Sequence, residues 1–448
     1  MREPGSQLAL RAKLIGRARE SVPEGTFAVG SGLMIASVTS YLFLIITLNA
    51  LPQAGKAGFG AFWGLIFVAG PGFFLPLEQE VGRSVAHRRA KGIGGGPLVH
   101  KAARLGGALC VVLVIATLAL SGVLTDTLFH GQELLVVALA VGLVAFFCIH
   151  TARGTLSGNG RFRPYGEMLA VEGIARLAGA LVLVAFGVDN AGAYGLCLAL
   201  APFAAVLVAM RKERGLLTPG PDAPYSELSN ALGFLLAGSV LMQLLGYSPL
   251  LAVNILETSA DKAAAATFTT AFVMARIPIL LFQAVQGTLL PKLAGLAGAG
   301  QHDDFRAGLK RLMVVVVGVA AIGSLLAFTL GPAVGEILFQ DFDISNTNLG
   351  LLATGSGMFI IALTVAQALI ALEGHARQTF GWMVGMLVFF AVISVISDLF
   401  LRVELAFLIG SASAALLMVF FLVRDLRSGK TGNLDDLVQG IESEPLEI

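Results

Sequence analysis

Charge is scarce in this 448-residue chain. Only 13% of its residues are charged, whereas a soluble globular protein ordinarily has about a quarter. Hydrophobic residues make up 56% of the chain, and the mean hydropathy is +0.83. This composition excludes an ordinary soluble protein and indicates that lipid is the main solvent. The net charge of +1 carries no information about partners, because the charges are segregated along the chain. We expect no nucleic-acid partner.

The sequence also lacks the signatures of common enzymes. Its three cysteines lie in apolar runs without metal-like or redox spacing, and its six histidines show no ligand-like pairing. The glycine-rich run 92–96 lacks the Lys-Ser/Thr pair of a nucleotide-binding loop. A membrane glycosyltransferase would want an acidic pair on a long external loop, and only Asp341 and Asp343 are candidates, on a short one. We therefore expect no enzymatic activity, no metal and no cofactor.

Long apolar runs are what the sequence has in abundance. They predict an all-α polytopic membrane protein with twelve transmembrane helices, because each run is long enough to cross a bilayer. With both termini in the cytoplasm, the cytoplasmic segments hold 25 of the 30 lysines and arginines, which is the expected positive-inside bias. We expect a multi-pass protein of the cell membrane. The predicted helices cover about 26–50, 58–77, 105–123, 134–150, 166–186, 191–210, 228–256, 264–293, 312–330, 349–372, 379–399 and 405–423.

An internal repeat divides the chain into two six-helix lobes. The segment from Leu156 to Arg161 recurs as Leu372 to Arg377, and Pro76 is matched by Pro291. Because six is an even number of spans, the lobes should have the same orientation, related by a parallel pseudo-two-fold axis along the membrane normal. The predicted divisions are a basic cytoplasmic leader (1–25), an N-terminal lobe (26–215), a cytoplasmic linker (216–226), a C-terminal lobe (227–425) and a disordered cytoplasmic tail (426–448).

The eighth predicted helix carries an arginine, Arg276, about halfway along its length. A charge at that depth costs at least about 2.5–3.5 kcal/mol on insertion scales. Thr269 and Gln283 lie seven positions to either side, so the three residues form one polar stripe. The functional interpretation is a water-filled cavity in which Arg276 and Gln283 bind a negatively charged substrate group. The alternative is an ion pair between helices that only fixes their packing.

Further polar residues are candidates for the same cavity. Arg176 is a second possible anion ligand, and Glu172 precedes it by one helical turn. The two could instead neutralise each other within one helix; in the functional interpretation Glu172 is a protonatable coupling switch. Gln243, Tyr247 and Asn254 could line the cavity and contact the substrate, or hold helices together. Pro249 is expected to kink the seventh helix, because it removes one backbone hydrogen bond.

Acidic and basic residues follow the second predicted helix. Glu78, Glu80 and Arg83 are candidates for an inner gate whose ion pairs break when the lobes rock. The alternative is a set of cytoplasmic salt bridges that locks a loop. The basic cluster from Arg83 to Arg104 is mainly a topology signal, and it could also attract anionic lipid headgroups.

The helix with Arg276, Pro278, Gln283 and the terminal Leu290–Leu293 resembles its counterpart in the multidrug/oligosaccharidyl-lipid/polysaccharide (MOP) exporter superfamily. The joint Gly158–Arg161 and the run 76–80 are similar to actinobacterial-type polysaccharide biosynthesis membrane proteins of that group. The resemblance covers about residues 25–425. It implies a MOP/MATE-like fold whose two lobes form a V and export polyprenyl-pyrophosphate-linked sugars by alternating access. It also implies that Arg276 corresponds to an arginine of a cationic cavity that holds the pyrophosphate.

Three functions remain open at this point. The first is a flippase for a polyprenyl-pyrophosphate-linked glycan, either a cell-envelope polysaccharide or a peptidoglycan precursor. The second is a cation-coupled multidrug exporter, against which the absence of charge in helix 1 argues. The third is a non-transport membrane scaffold for envelope assembly. The expected partners are the lipid-linked sugar and membrane lipids, with glycan-assembly enzymes as further candidates.

Overall fold

A computed structural model describes residues 26–228, 232–258, 264–279, 296, 301–340 and 342–428. The described chain is helical and contains no β-strand. Eleven of its helices are long and apolar enough to cross a membrane, and the shorter apolar segment Ala264–Ile279 is the described part of another. The helices are α1 (Thr26–Ala50), α2 (Gln53–Ala90), α3 (Gly96–Ala119), α4 (Leu134–Gly158), α5 (Phe162–Ala185), α6 (Ala191–Met210), α7 (Leu232–Leu256), α8 (Ala264–Ala275), α9 (His302–Leu338), α10 (Asn346–Ala371), α11 (His375–Ile393) and α12 (Leu399–Ser428).

The predicted order of helices is confirmed, but several helices are longer than predicted. The second helix does not end near residue 77 but continues to Ala90, and α4 continues beyond His150 to Gly158. At about 1.5 Å per residue, the 38 residues of α2 span about 57 Å, well beyond a hydrocarbon core of about 30 Å. Hydropathy marks only the part of a helix that lies in lipid, and these helices continue with polar residues. The expected leader (1–25), the second half of the eighth helix and most of the expected tail lie outside the described residues.

The two halves of the chain repeat one packing scheme. In the first half, α1 packs on α5, α4 packs on α2, α3 and α6, and α5 packs on α6. The second half repeats these pairs six helices later: α7 packs on α11, α10 packs on α8, α9 and α12, and α11 packs on α12. The repeated joint has the same ion pair in each half. Arg161 lies 3.7 Å from Glu213 after α6, and Arg377 pairs with Asp425 near the end of α12.

Prolines inside the helices leave carbonyl oxygens without their usual backbone donor, four residues earlier. The Phe67 carbonyl, freed by Pro71, accepts a 3.0 Å bond from the Gln243 amide, which links α2 to α7. Elsewhere, the Ser248 hydroxyl donates to the Leu245 carbonyl freed by Pro249 (2.8 Å), and the Asn346 amide donates to the Phe328 carbonyl freed by Pro332 (2.8 Å). The helices continue through these prolines because side chains satisfy the exposed carbonyls.

A buried arginine contributes five hydrogen bonds at the segment between the halves. Arg88, buried near the end of α2, donates two bonds to the Glu227 carboxylate, at 2.7 and 3.0 Å. Its other three donor bonds, each 3.0 Å long, go to the carbonyls of Gly94, Pro221 and Asp222. All five N–H groups of the guanidinium are therefore used. The Arg88 hydrogen bonds hold the pKa of Glu227 below its usual range, against the opposing effect of burial.

Polar contacts join the two halves at the end of the bundle where α1 meets α2, which the charge bias predicts to be external. The Asn49 side chain donates to the Leu338 carbonyl (2.7 Å) and accepts from the Gln340 backbone N–H (2.8 Å). Nearby, His130 lies 2.7 Å from the Asn254 amide oxygen and 3.4 Å from the Glu257 carboxylate. The halves are thus in contact at this end.

Candidate functional site

A polar cavity of about 360 Å³ lies between the two halves. Its walls come from α1, α2, α4 and α5 of the first half and from the α7 and α8 regions of the second half. Aromatic side chains form much of the apolar wall, and the ionisable side chains collect in one region. Those ionisable lining residues are His150, Arg153, Glu172, Arg176 and Arg276.

Arg276 lines this cavity, as the sequence predicts. Its guanidinium donates to the Gly246 carbonyl at 2.5 Å and stacks on the Tyr247 and Phe272 rings, with its central carbon 4.5 and 5.0 Å from the ring centroids. Among the described residues no carboxylate lies within ion-pair distance of it, in contrast to the other two cavity arginines. Cation–π contacts orient the charge without neutralising it. In the described part of the chain, its guanidinium makes one hydrogen bond, to Gly246, and no ion pair.

The helix that carries Arg276 changes its hydrogen bonding at this residue. The Arg276 backbone N–H bonds to the Val273 carbonyl three residues earlier (3.2 Å), and the Ile279 N–H bonds to the Arg276 carbonyl (2.9 Å). Pro278 has no N–H with which to continue the regular pattern. The Val273 carbonyl also accepts the Tyr41 hydroxyl of α1 at 2.7 Å, which ties the two halves together beside the cavity.

Glu172 is held between two arginines. One carboxylate oxygen accepts from Arg176 at 2.6 Å, and the other accepts from Arg153 of α4, also at 2.6 Å. Arg176 is fixed further by a 2.9 Å bond to the Ser40 hydroxyl of α1. Arg176 pairs with Glu172 on its own helix, and both side chains also line the cavity. The two sequence-based interpretations, a pair within the helix and a position in the cavity, are therefore compatible.

A second buried carboxylate lies next to this group. Glu78 accepts hydrogen bonds from Tyr165 at 2.7 Å and from His150 at 2.6 Å. These partners belong to α4 and α5 of the same half, and Glu78 lies inside α2 rather than in a loop after it. The expected role of Glu78 in a gate between the halves is therefore not supported: its bonds hold one lobe together.

Glu80 and Arg83 lie within α2 as well, where they form an ion pair three residues apart. A pair on one helix does not by itself break when the halves separate, so a gate role for Glu80 and Arg83 stays a prediction. Arg83 also donates to the Glu227 carbonyl at 3.2 Å, and the Ser84 hydroxyl donates to it at 3.0 Å. His375 at the start of α11 lies within electrostatic range of both charged side chains.

The remaining predicted site residues lie elsewhere. Gln243 does not line the cavity, because its amide is used on the Phe67 carbonyl. Thr269 packs against Gly60 of α2, where an added Cβ would approach its hydroxyl to 2.4 Å, so the predicted polar stripe is not a continuous cavity wall. Gln283 lies outside the described residues. Asn254 contacts His130 at the end of the bundle rather than the cavity.

The sequence interpretation missed Arg153 and His150 as cavity residues. Both were assigned to the end of a helix or to the loop after it, because hydropathy falls at this point. In the structure the helix continues through this region, where the Thr151 and Thr155 hydroxyls bond back to carbonyls four residues earlier, as helical threonines do. The pairing of Arg153 with Glu172 bridges two helices, so no spacing rule could reveal it. Among the described residues, no group of three or more His, Cys, Asp or Glu side chains could hold a metal ion.

No family model matches this chain. Its sequence is similar to two uncharacterized mycobacterial proteins. One, from Mycobacterium tuberculosis, is 27% identical over 385 residues, covering 81% of this chain and 84% of that protein. The other, from Mycobacterium bovis, is 25% identical over 383 residues, covering 82% of this chain and 85% of that protein.

Solved structures of transporters share the whole architecture. An outward-facing multidrug resistance MATE family transporter of the MOP superfamily superposes with a TM-score of 0.67 at 14% identity, covering 91% of this chain and 97% of that one. A MOP superfamily transporter from Pyrococcus furiosus, described as having a binding pocket of reverse polarity, gives 0.67 at 14% identity, over 90% and 96%. A MATE in the bent conformation gives 0.65 at 12% identity, over 90% and 95%. This chain is a multi-pass membrane protein with the fold of MOP superfamily transporters.

Proposed function

We propose that this protein moves a polyprenyl-pyrophosphate-linked glycan from the cytoplasmic to the outer leaflet of the cell membrane by alternating access. The glycan would be a cell-envelope polysaccharide or a peptidoglycan precursor. The observation that carries the proposal is Arg276, a guanidinium that lines a polar cavity between the halves with no carboxylate in ion-pair distance among the described residues. A scaffold would need only a sealed contact between the halves. The cavity therefore favours transport over a scaffold role.

The charge of the cavity suits a pyrophosphate. Among the described residues, three arginines line it against one carboxylate, that of Glu172, so the described lining has a positive surplus. A planar guanidinium offers paired donors that match phosphate oxygens and stays charged at any physiological pH. An anionic ligand would offset this surplus.

The same arrangement supports release. Arg153 and Arg176 are each held by Glu172, whereas Arg276 has no carboxylate within ion-pair distance among the described residues. Such a cavity favours an anion through one uncompensated charge, rather than through a closed cage of arginines. A carrier needs binding of this moderate kind, because the substrate must leave on the other side. The contacts of Asn49 with Leu338 and Gln340 are polar and few, so they suit an end of the bundle that opens during the cycle.

A multidrug exporter is the second candidate. The aromatic rings of Trp63, Phe67, Tyr247 and Phe272 in the cavity wall favour it, because they would stack on flat apolar compounds. The name of one structural neighbour, a multidrug resistance transporter, points the same way. Against cationic drugs stands the positive surplus of the lining, since Arg276 would repel them. The two candidates therefore differ in the charge of the substrate.

The test is translocation of a polyprenyl-pyrophosphate-linked sugar in reconstituted vesicles. Arg276→Ala should reduce the rate by at least about tenfold, the loss expected from a charge-assisted hydrogen bond to phosphate of about 1.5–3 kcal/mol. Arg276→Lys should lie in between, because lysine keeps the charge and loses the paired donors. The matched control is Arg104→Ala, which removes an exposed arginine of α3 outside the cavity.

Normal translocation by folded Arg276→Ala would overturn the proposal. Export of cationic drugs by the wild type, without any movement of the lipid-linked sugar, would favour the second candidate. Depletion in cells provides an independent measurement: a polyprenyl-linked intermediate should accumulate in the cytoplasmic leaflet.

A further inference from the structure

An apolar groove of about 450 Å³ lies on the other side of α8 from the polar cavity. It is formed by α8, α9 and α10 with the residues just after α8, and its lining residues in the described part of the chain are all apolar. Its rim includes Ile322 and Leu330, whose side chains are 60% and 55% exposed. In a membrane protein, apolar side chains with this exposure face the acyl chains. The groove is therefore open to the interior of the bilayer.

Small residues of α9 form the floor of the groove. Gly323, Ala327 and Gly331 follow one another at four-residue spacing and so share one face of the helix. An added Cβ at Gly323 would come within 2.7 Å of the Pro278 ring, and one at Gly331 within 2.4 Å of the Leu349 side chain. Larger residues at these positions would push the neighbouring elements away. The groove is therefore a defined feature of the packing.

The groove and the polar cavity share one wall. Around the break in α8, the cavity is lined by Val273, Arg276 and Ile279. The groove is lined by Met274 and Ile277 among others, from the same two turns. The distance across one helix is about 10 Å. A site for an anionic group and a site for an apolar chain therefore lie back to back.

We propose that this groove binds the polyprenyl chain of the substrate while its pyrophosphate occupies the cavity beside Arg276. The proposal rests on the proposed function and extends it to a second subsite on the same helix. An amphiphile with an anionic head and a long apolar tail matches both surfaces at once. Pro278, just after α8, packs against Gly323 of α9, and the groove extends from this contact between α8, α9 and α10.

The groove acts by shape rather than by hydrophobic transfer, because a polyprenyl chain is already in an apolar medium when it lies among lipids. Its contribution is close packing against the floor of small residues, as in helix contacts within membranes. The groove therefore orients the tail and so places the pyrophosphate. We expect a moderate gain in affinity for long chains over short ones, about tenfold, which is the ratio that a little over 1 kcal/mol of packing produces.

The experiment measures binding in lipid nanodiscs to three probes: inorganic pyrophosphate, farnesyl pyrophosphate and undecaprenyl pyrophosphate. The wild type should bind the undecaprenyl compound about tenfold more tightly than the farnesyl compound. Ala327→Trp, which fills the floor of the groove, should lose this difference and still bind inorganic pyrophosphate normally. Ala327→Leu provides a milder filling if the tryptophan variant fails to fold. The matched control is Leu325→Trp, which adds the same ring at a 63% exposed position of α9 outside the groove.

Each outcome decides the proposal. If folded Ala327→Trp and Ala327→Leu keep the wild-type preference for the long chain, the groove does not hold the substrate tail, and ordinary bilayer lipid is its occupant. Equal loss in Leu325→Trp would also overturn the assignment, because the effect would then not be specific to the groove. The proposed function is tested separately: loss of inorganic pyrophosphate binding in Arg276→Ala supports it, whatever the chain-length result.

Discussion

Glu172 offers a direct test of whether the charged wall of the cavity is a structural clamp or a proton switch. In the clamp interpretation, its carboxylate neutralises Arg153 and Arg176, to each of which it makes a 2.6 Å bond. Glu172→Gln keeps the size of the side chain and removes its charge. A glutamine oxygen can accept from one guanidinium, but its amide group then faces the other donor. Two buried arginines are left without a compensating charge.

The magnitude follows from burial. Glu172, Arg153 and Arg176 are all nearly inaccessible to solvent, and removing one partner of a buried ion pair costs about 3–5 kcal/mol. Glu172→Gln should therefore lower the free energy of unfolding by that amount. Replacing all three residues by methionine should recover most of the loss, because apolar residues of similar volume can replace a buried ionic group at little cost.

The assay is unfolding in mixed micelles of increasing sodium dodecyl sulfate content, followed by the loss of helical circular dichroism. Glu167→Gln is the matched control, because Glu167 is an exposed carboxylate of the same helix. A loss below about 1 kcal/mol in Glu172→Gln, combined with transport that no longer responds to pH, would refute the clamp. That result would restore Glu172 as the coupling switch.

Three other predictions concern stability. Arg88→Lys should lower the free energy of unfolding by about 3 kcal/mol or more, because lysine cannot supply the five donors that Arg88 uses. The control, Arg89→Lys at the neighbouring exposed position, should have little effect. Equal losses in the two variants would contradict this role of Arg88. Since the pKa of Glu227 is lowered in the folded protein, its stabilisation is present above the unfolded value of about 4.3 and is lost as the pH falls through the folded value. Wild type and Glu227→Gln should thus differ at pH 7 and converge in acid, as thermal melting would show. Glu404 is 0% exposed, and both of its carboxylate oxygens lack a hydrogen-bond partner. Glu404→Leu should therefore raise the free energy of unfolding by about 1–3 kcal/mol. A clear fall in that free energy would show that this carboxylate has a function in the fold.

Much of the architecture could be predicted from the sequence, because hydropathy and charge act over a whole span. The order of twelve helices rests on such averages, and the repeat of the joint at Arg161 and Arg377 rests on matching residues in two short segments. Helix ends could not be predicted in this way, since α2 and α4 continue into polar sequence that carries no hydropathic signal. The error had a consequence for function: it placed Glu78 and Arg153 in loops, although both are buried inside helices.

The candidate site was predictable only where one residue carries the signal alone. A buried arginine in an apolar helix is conspicuous, and Arg276 lies in the cavity as expected. The role of Gln243 could not be predicted from its own helix, because its amide donates to a carbonyl that Pro71 leaves free in another helix. The clamp on Glu172 likewise joins α4 to α5 through Arg153. Such pairings are set by tertiary packing, which a single sequence does not display.

The distribution of charge compensation in the cavity leads to a mechanism. In the first half, Glu172 binds two arginines and Glu78 binds His150, so this wall is neutralised largely by its own partners. In the described part of the second half, Arg276 has aromatic rings and a carbonyl as neighbours instead of a carboxylate. An anion between the halves would therefore satisfy the second half more than the first. Its arrival would attract Arg276 toward the anion, and its departure would remove that attraction. The substrate itself would thus supply part of the force that closes the two halves around it.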